Sequence, residues 1–348
     1  MAGKPILKEP ILVWGAGAIG GTIGAFLVRH GHDVVFVDAD PAHVRAIAAG
    51  RLSIQGPVAA FTAGAPAFTP DAVHGTFRRA ILAVKAHHTA TAIRQLAPHL
   101  AQDGAVVSAQ NGLNEIEIAN VVGRQRTIGA FVNFGADWQA PGEILFANRG
   151  AVVIGELDGV VGERLRAWHA LLCDFEPDAV LTEDIFAYLW GKTGYGALLK
   201  ASAIADMTIA GFIGEPSLRG LNVALVREVL AVAAAEGVAP RGFNGFDPVP
   251  FARNDAAGID ASIAAMVAFN AATAKPYSGV WRDLAVRRRP TDSAAQLAPV
   301  LAAARRHGIA TPTLDRLVAL IGAVERGERT IGRPLAEELS GIAEGRPA

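Results

Sequence analysis

The chain has 348 residues, enough for roughly two domains with cores of their own. It is 51% hydrophobic and 19% charged with a net charge of −1, the profile of an ordinary globular protein, and offers neither the basic excess of a nucleic-acid binder nor an acidic disordered tail. A single cysteine, Cys173, excludes an intramolecular disulfide and a CxxC-type zinc site, and reads as a small buried hydrophobe.

The first patterned segment, Ile11 to Val28, carries 18 residues without a charge, close to the length of a membrane-spanning helix. Its five glycines are spaced as turn residues and no small-residue cleavage site follows, so a strand, a tight turn and a helix start fit it better. A cytoplasmic protein without a membrane partner is the expectation.

Within that segment lies Gly15-x-Gly17-x-x-Gly20. The first glycine of such a loop permits the tight turn, the second lets backbone approach a pyrophosphate, and the third lets helix and strand pack closely. Gly15, Ala16, Gly17, Ala18, Ile19 and Gly20 are therefore candidate cofactor-binding residues. Asp38 ends the next predicted strand 18 residues after Gly20. A carboxylate there accepts hydrogen bonds from a ribose 2′-OH and repels a 2′-phosphate, which favours NADH over NADPH. Arg45 and Arg51 follow, and either serves a phosphate if the loop folds back.

Strands are predicted in residues 10–17, 33–40, 79–86, 104–112 and 126–135, separated by helical patterns. Continuous apolar strands of this kind imply a parallel sheet covered on both faces. Residues 142–156 add two short strands, expected as an antiparallel annex. Beyond about residue 180 the strand signals stop, and helices are predicted over 183–210, 214–237, 260–273, 292–307 and 313–325, with a Pro/Gly-rich loop at 237–251. The fold class is thus an α/β N-terminal, Rossmann-type doubly wound parallel sheet followed by an all-α C-terminal domain. The expected division is 1–180 for dinucleotide binding and 181–348 for substrate and dimerisation.

Four motifs in this order and spacing resemble those of the ketopantoate reductase (2-dehydropantoate 2-reductase) family. They are GAGAIG at 15–20, AVKAHHT at 83–89, AQNGLNEIE at 109–117 and LWGKTGYGA at 189–197. The similarity extends over approximately residues 10–325, through SGVWRDLAVRRRPTD (278–292) and ARRHGIATPT (304–313). It implies that Lys85 and Asn111 sit beside the cofactor, with Asn111 also near the substrate. It implies that Lys192 is the catalytic lysine, that Asp292 stands where the family usually has a glutamate contacting substrate and lysine, and that Ser278 is a substrate-binding serine. A homodimer is implied by the resemblance alone. The family's prototype has asparagines four and eight residues after the catalytic lysine; here Gly196 and Lys200 occupy those places, and Ala294 stands where an acidic residue is expected. These departures bear on the substrate more than on the reaction class.

Reducing a ketone with nicotinamide leaves negative charge growing on oxygen, and a nearby cation that also donates a proton answers both needs. Lys192 suits this role, since partial burial lowers a lysine pKa towards the working range. Gly191, Gly194 and Gly196 are expected to let its helix lie close against the nicotinamide. Lys200 lies two turns along the same face and either binds a substrate carboxylate or stands at the surface. Asp292 either meets substrate or caps the helix that follows. Arg287–Arg289 read as a solvated basic loop. His30/His32 and His87/His88 show no metal-ligand spacing, so no metal is expected.

The leading expectation is NAD(P)H-dependent reduction of a small 2-oxo acid, most simply ketopantoate to pantoate. A reductase of another 2-oxo acid, an opine-type dehydrogenase and a non-catalytic NAD(P)-binding sensor remain open.

Overall fold

Four apolar residues, Ile11–Trp14, form strand β1, and none is more than 2% exposed. The computed structural model describes residues 9–273 and 275–346. The chain divides into two units, Met1–Ile185 and Phe186–Ala348.

In the first unit, β1 is followed by α1 (Ala18–Arg29), β2 (Val34–Val37), α2 (Pro41–Ala48), β3 (Leu52–Gln55), β4 (Phe61–Ala63), β5 (Ala67–Phe68) and β6 (Phe77–Leu82). Then come α3 (Thr89–Leu96), β7 (Leu100–Ser108), α4 (Asn114–Val122), β8 (Thr127–Val132), β9 (Gly135–Ala140), β10 (Glu143–Asn148), β11 (Val152–Glu156), α5 (Glu163–Leu172) and β12 (Val180–Leu181). The main sheet has eight strands in the order β12-β11-β8-β7-β6-β1-β2-β5. Its neighbours pair in parallel except β11 with β8. From β1 the chain moves outward to β2 and β5, then returns to β6 on the other side. The strand order therefore reverses between β1 and β6, where doubly wound sheets open a crevice beyond their carboxyl ends. The apolar, uncharged stretch at 11–28 is β1, a turn and α1; among the described residues no helix is long and apolar enough to cross a membrane.

The expected annex at 142–156 is corrected. Its two strands do not pair with each other. β10 lies between β9 and β3 in a second, four-stranded sheet ordered β4-β3-β10-β9, and β11 joins the main sheet antiparallel to β8. The burial pattern gives the reason. β10 alternates between buried and accessible residues, as a one-sided strand does, whereas all five residues of β11 are buried, as a strand inside a covered sheet must be. Aromatic rings join the two sheets: Phe26 of α1, Phe134, Phe146 of β10 and Phe175 pack with centroids 4.8–5.9 Å apart, mostly edge to face.

The second unit is helical: α6 (Ile185–Ile204), which starts at the last residue of the first unit, α7 (Ile209–Gly214), α8 (Arg219–Ala235), α9 (Pro248–Arg253), α10 (Ala256–Ala271), α11 (Gly279–Trp281), α12 (Ser293–His307), α13 (Pro312–Glu325) and α14 (Arg333–Ala343). α11 runs on into a π turn at Arg282–Val286. The Pro/Gly-rich loop at 237–251 is shorter than its composition suggests, because Asp247 caps α9 through the N–H of Val249 and Pro248 sits in the first turn, where a missing N–H is harmless. α14 was not foreseen.

Phe175 is fully buried and touches three of these rings. Phe175→Ala is expected to destabilise the first unit by about 3–5 kcal/mol, the usual cost of emptying an aromatic core position. Urea titration followed by circular dichroism measures it, and a loss below about 1 kcal/mol would show that the two sheets do not depend on this cluster.

Candidate active site

The three loop glycines each meet a different demand. Gly15 has φ +92°, and a Cβ there would lie 2.8 Å from the Val84 nitrogen, two residues past the end of β6. A Cβ on Gly20 would strike the Gly15 carbonyl and come within 2.9 Å of the Ala83 side chain. A Cβ on Gly17 would have nothing within 4 Å. Gly17 thus leaves its backbone bare at the N-terminus of the twelve-residue α1, where no side chain caps the helix. Unsatisfied N–H groups and the helix dipole there suit a pyrophosphate. Asp38 follows β2 directly. Its Oδ2 accepts the N–H of Ala16 at 2.8 Å and its Oδ1 accepts that of Asp40 at 3.0 Å. Arg45 and Arg51 are both exposed.

Lys85 and Asn111 stand in the loops after β6 and β7, Lys85 half-buried and Asn111 exposed. A buried polar chain ties these loops together. The Gln110 amide donates to the Val84 carbonyl (2.8 Å) and to Thr89 Oγ1 (2.7 Å); Thr89 donates to Asn114 Oδ1 (2.9 Å), and Asn114 donates to the Asn111 carbonyl (2.7 Å). Sequence reasoning missed Gln110, Thr89 and Asn114. The signal was present in AQNGLN, where a glutamine lies between an apolar strand and a turn and must bury its amide against partners.

In the second unit, α6 is buried along most of its length and partly exposed at Phe186, Tyr188, Lys192, Gly196 and Leu199. Positions 188, 192, 196 and 199 form one stripe at helical spacing. The reading of its glycines is corrected. Gly191 is required by protein backbone: a Cβ would collide with the Arg241 carbonyl, and the Arg241 N–H donates to the Ala187 carbonyl at 2.9 Å. At Gly194 a Cβ would make ordinary contacts with the Phe246 ring, at 3.6 Å, and Val229, at 3.9 Å. Gly196 is the partly exposed one of the three, and a Cβ there would meet only Lys200 Nζ, at 3.5 Å. Trp190 and Tyr195 of the same motif are core residues, and burial pushes the Tyr195 hydroxyl up to about 12, against the pull of its hydrogen bond to Asn270.

Lys200 is not at the surface. It is 4% exposed and donates to Gln296 Oε1 at 2.8 Å and, more weakly, to the Gly196 carbonyl at 3.5 Å. Burial lowers its pKa from 10.5 to about 8, with the Asp292 carboxylate acting in the opposite direction. Asp292 sits at the N-cap position of α12, but its side chain makes no capping bond; the N–H of Ser293 goes to Thr291 Oγ1 instead, at 3.2 Å. Lys200, Asp292, Gln296 and Gly196 are thus brought together. Ser278, 3% exposed, accepts the N–H of Trp281 at 3.2 Å and so caps α11. The Arg287–Arg289 loop is more than a solvated run, because Arg287 and Arg289 both pair with the buried Asp283. Among the described residues no group of three or more His, Cys, Asp or Glu could hold a metal.

Comparison with known proteins adds to this geometry. The family described as "Ketopantoate reductase PanE/ApbA" matches residues 11–159, and its C-terminal counterpart matches residues 184–325. The chain belongs to the ketopantoate reductase family. As a member it is an NAD(P)-dependent oxidoreductase of the 2-dehydropantoate 2-reductase type. The 2-dehydropantoate 2-reductase of Mesorhizobium japonicum is 27% identical over 341 residues, covering 91% of this chain and 98% of that protein. That of Archaeoglobus fulgidus is 28% identical over 66% of this chain and 75% of its own. Among solved structures, a D-mandelate dehydrogenase with NADH and anilino(oxo)acetate has a TM-score of 0.79 at 21% identity, covering 91% of this chain and 99% of that one. A PanE/ApbA family ketopantoate reductase from Ralstonia eutropha has a TM-score of 0.75 at 24% identity, over 92% and 99%. These likenesses show the fold.

Two measurements check the two halves of this ketopantoate reductase relative. Because a Cβ at Gly17 meets no protein atom, Gly17→Ala is expected to keep the melting temperature while weakening NAD(P)H binding about 10-fold or more, a 1.4 kcal/mol effect. Fluorescence titration beside a thermal melt decides it; unchanged affinity would place the pyrophosphate elsewhere. For Lys200 the sign follows from its lowered folded-state pKa. Between about pH 8 and 10.5 the unfolded chain binds more protons at this residue than the folded chain, so stability rises with pH across that window. The unfolding free energy of the wild type relative to Lys200→Met is therefore expected to climb from pH 8 to 10.5. A pH-independent difference would mean that the buried ammonium is not penalised.

Proposed function

We propose that this protein reduces a small 2-oxo acid to its 2-hydroxy acid with NAD(P)H, ketopantoate to pantoate being the simplest case, and that Lys192 is the general acid. The observation that carries the reading is the stripe on α6, where Lys192 and Gly196 are partly exposed and Lys200 and Asp292 gather at its far end. Gly15, Ala16, Gly17, Ala18, Ile19 and Gly20 would cradle the pyrophosphate, Asp38 would face the adenosine ribose and favour NADH, and Lys85 and Asn111 would flank the nicotinamide. Bound NAD(P)H supplies the hydride. Lys192 would neutralise the charge growing on the carbonyl oxygen and hand it a proton from Nζ. Lys200 would attract the substrate carboxylate and Asp292 would hold Lys200 in its charged form. Asn111 and Ser278 complete the proposed substrate contacts. A homodimer is proposed as well; the ketopantoate reductase of Staphylococcus aureus, 20% identical, is dimeric.

A second reading, a 2-oxo acid bulkier than ketopantoate, is favoured by Gly196, which leaves room beside Lys200 Nζ. A glycine where a hydrogen-bonding side chain could stand weakens discrimination between substrates that differ by a hydroxyl at that point.

Following NADH and NADPH absorbance with ketopantoate and larger 2-oxo acids tests both readings. Turnover of at least one 2-oxo acid is expected, with Lys192→Ala lowering kcat by roughly 100-fold or more while cofactor affinity stays near normal. If no 2-oxo acid oxidised either cofactor, the enzymatic reading would fail; if Lys192→Ala kept most of its kcat, the acid would be another group.

A further inference from the structure

His43 lies on α2, is 1% exposed, and joins two distant backbone segments. Its Nδ1 accepts the N–H of Gly142 at 2.9 Å, and its Nε2 lies 2.8 Å from the carbonyl oxygen of Ala16. A backbone N–H can only donate, so Nδ1 must be bare and the ring proton must sit on Nε2. From there it donates to Ala16. Gly142 is fixed in turn: it follows Pro141 in the turn between β9 and β10, with φ +83°, and its carbonyl accepts the N–H of Ser53 at 2.7 Å. The ring also meets Trp138 of β9 edge to face, with centroids 6.3 Å apart.

Ala16 is the residue between the first two glycines of the cofactor loop, and both of its polar backbone atoms are held by side chains. Asp38 takes the N–H and His43 takes the carbonyl. In a trans peptide the carbonyl of one residue and the N–H of the next point in opposite directions. Holding the Ala16 carbonyl therefore sets the direction of the Gly17 N–H, on the loop glycine whose Cβ position has no protein atom within 4 Å. Gly21 accommodates the arrangement, since a Cβ there would collide with the same carbonyl.

We propose that His43 is a positioning residue for cofactor binding: as the Nε2–H tautomer selected by the Gly142 N–H, it orients the Ala16–Gly17 peptide so that the Gly17 N–H is aimed at the cofactor pyrophosphate before the cofactor arrives. The inference rests on the reading of the glycine loop as the NAD(P)H cradle. It assigns a function to the turn of the second sheet, which supplies the proton-donating group that fixes the tautomer.

Two amide substitutions separate the ring's two nitrogens. The asparagine amide reaches the position of Nδ1, and the glutamine amide that of Nε2. His43→Asn is expected to raise the Kd for NADH and NADPH roughly 10-fold, the scale of one lost hydrogen bond in a preorganised loop, with the loss falling on cofactor affinity and not on kcat at saturating cofactor. His43→Gln is expected to recover most of that affinity. Direct fluorescence titration reads both, with thermal melts alongside. In the wild type, the imidazole ¹⁵N spectrum should show Nε2 protonated and Nδ1 bare, the His43 signals being identified by their absence in His43→Gln. Equal loss of affinity in the two variants, affinity that merely follows melting temperature, unchanged affinity in His43→Asn, or the opposite tautomer would each overturn the proposal. A wild type that binds neither cofactor would instead refute the reading of the loop.

Discussion

In the first unit much depends on how closely the turn after β1 approaches the end of β6. Backbone at Ala83 and Val84 lies where a side chain on Gly15 would be, and Gly20 brings α1 down onto the same place. Such proximity leaves no room for adjustment by rotamer changes; it is met by glycines or not at all. Once the turn is seated, α1 points its bare N-terminus along the crevice where the strand order reverses, and the loops after β6 and β7 are brought to the same edge of the sheet. The polar chain from Gln110 to Asn114 then holds Lys85 and Asn111 in loops that share hydrogen bonds. Desolvating that chain is tolerable because each member named in it has a partner.

The second unit is organised around a different tension. α6 carries a lysine at a position where 4% of the side chain reaches solvent, and burying an ammonium is costly unless charge or hydrogen bonds compensate. Gln296 offers one neutral acceptor and Asp292 an opposing charge, and the lowered pKa records that compensation is incomplete. In the proposed function a substrate carboxylate beside Nζ would relieve the remaining penalty. Gly196 leaves space at that spot.

The parts of this architecture that were legible in the sequence rest on local patterns. The glycine loop, the five main strands and the long helices are set by neighbours within a few residues, and the one-face spacing of Lys192, Gly196 and Lys200 follows from helical geometry alone. What escaped depends on partners far along the chain. Gly191 looked like part of a cofactor-facing cluster because nothing near it names Arg241, fifty residues on, as the backbone that lies across it. The second sheet was hidden because its strands are short and its central pair joins β3 to β10. At the start of α12, Thr291 and Asp292 are both good capping residues, and only the three-dimensional arrangement assigns the cap to the threonine and turns the aspartate towards the electrostatics of Lys200.

The parallel pairing of β3 with β10 has a consequence for how the polypeptide is made. β3 is complete at Gln55, yet its partner spans Glu143–Asn148, and the Gly142 N–H that meets His43 lies 99 residues further along the chain. Contacts closed over such distances form late, because the entropy of the intervening loop must be overcome first. On a ribosome, β1, α1, β2 and α2 emerge and can associate well before residues 141–148 are synthesised. Until then the imidazole has no donor to select its tautomer, the inner edge of β3 is unpaired, and the nascent domain presents an open strand to other chains. The earliest-made loop of the nucleotide half is therefore among the last parts to be finished.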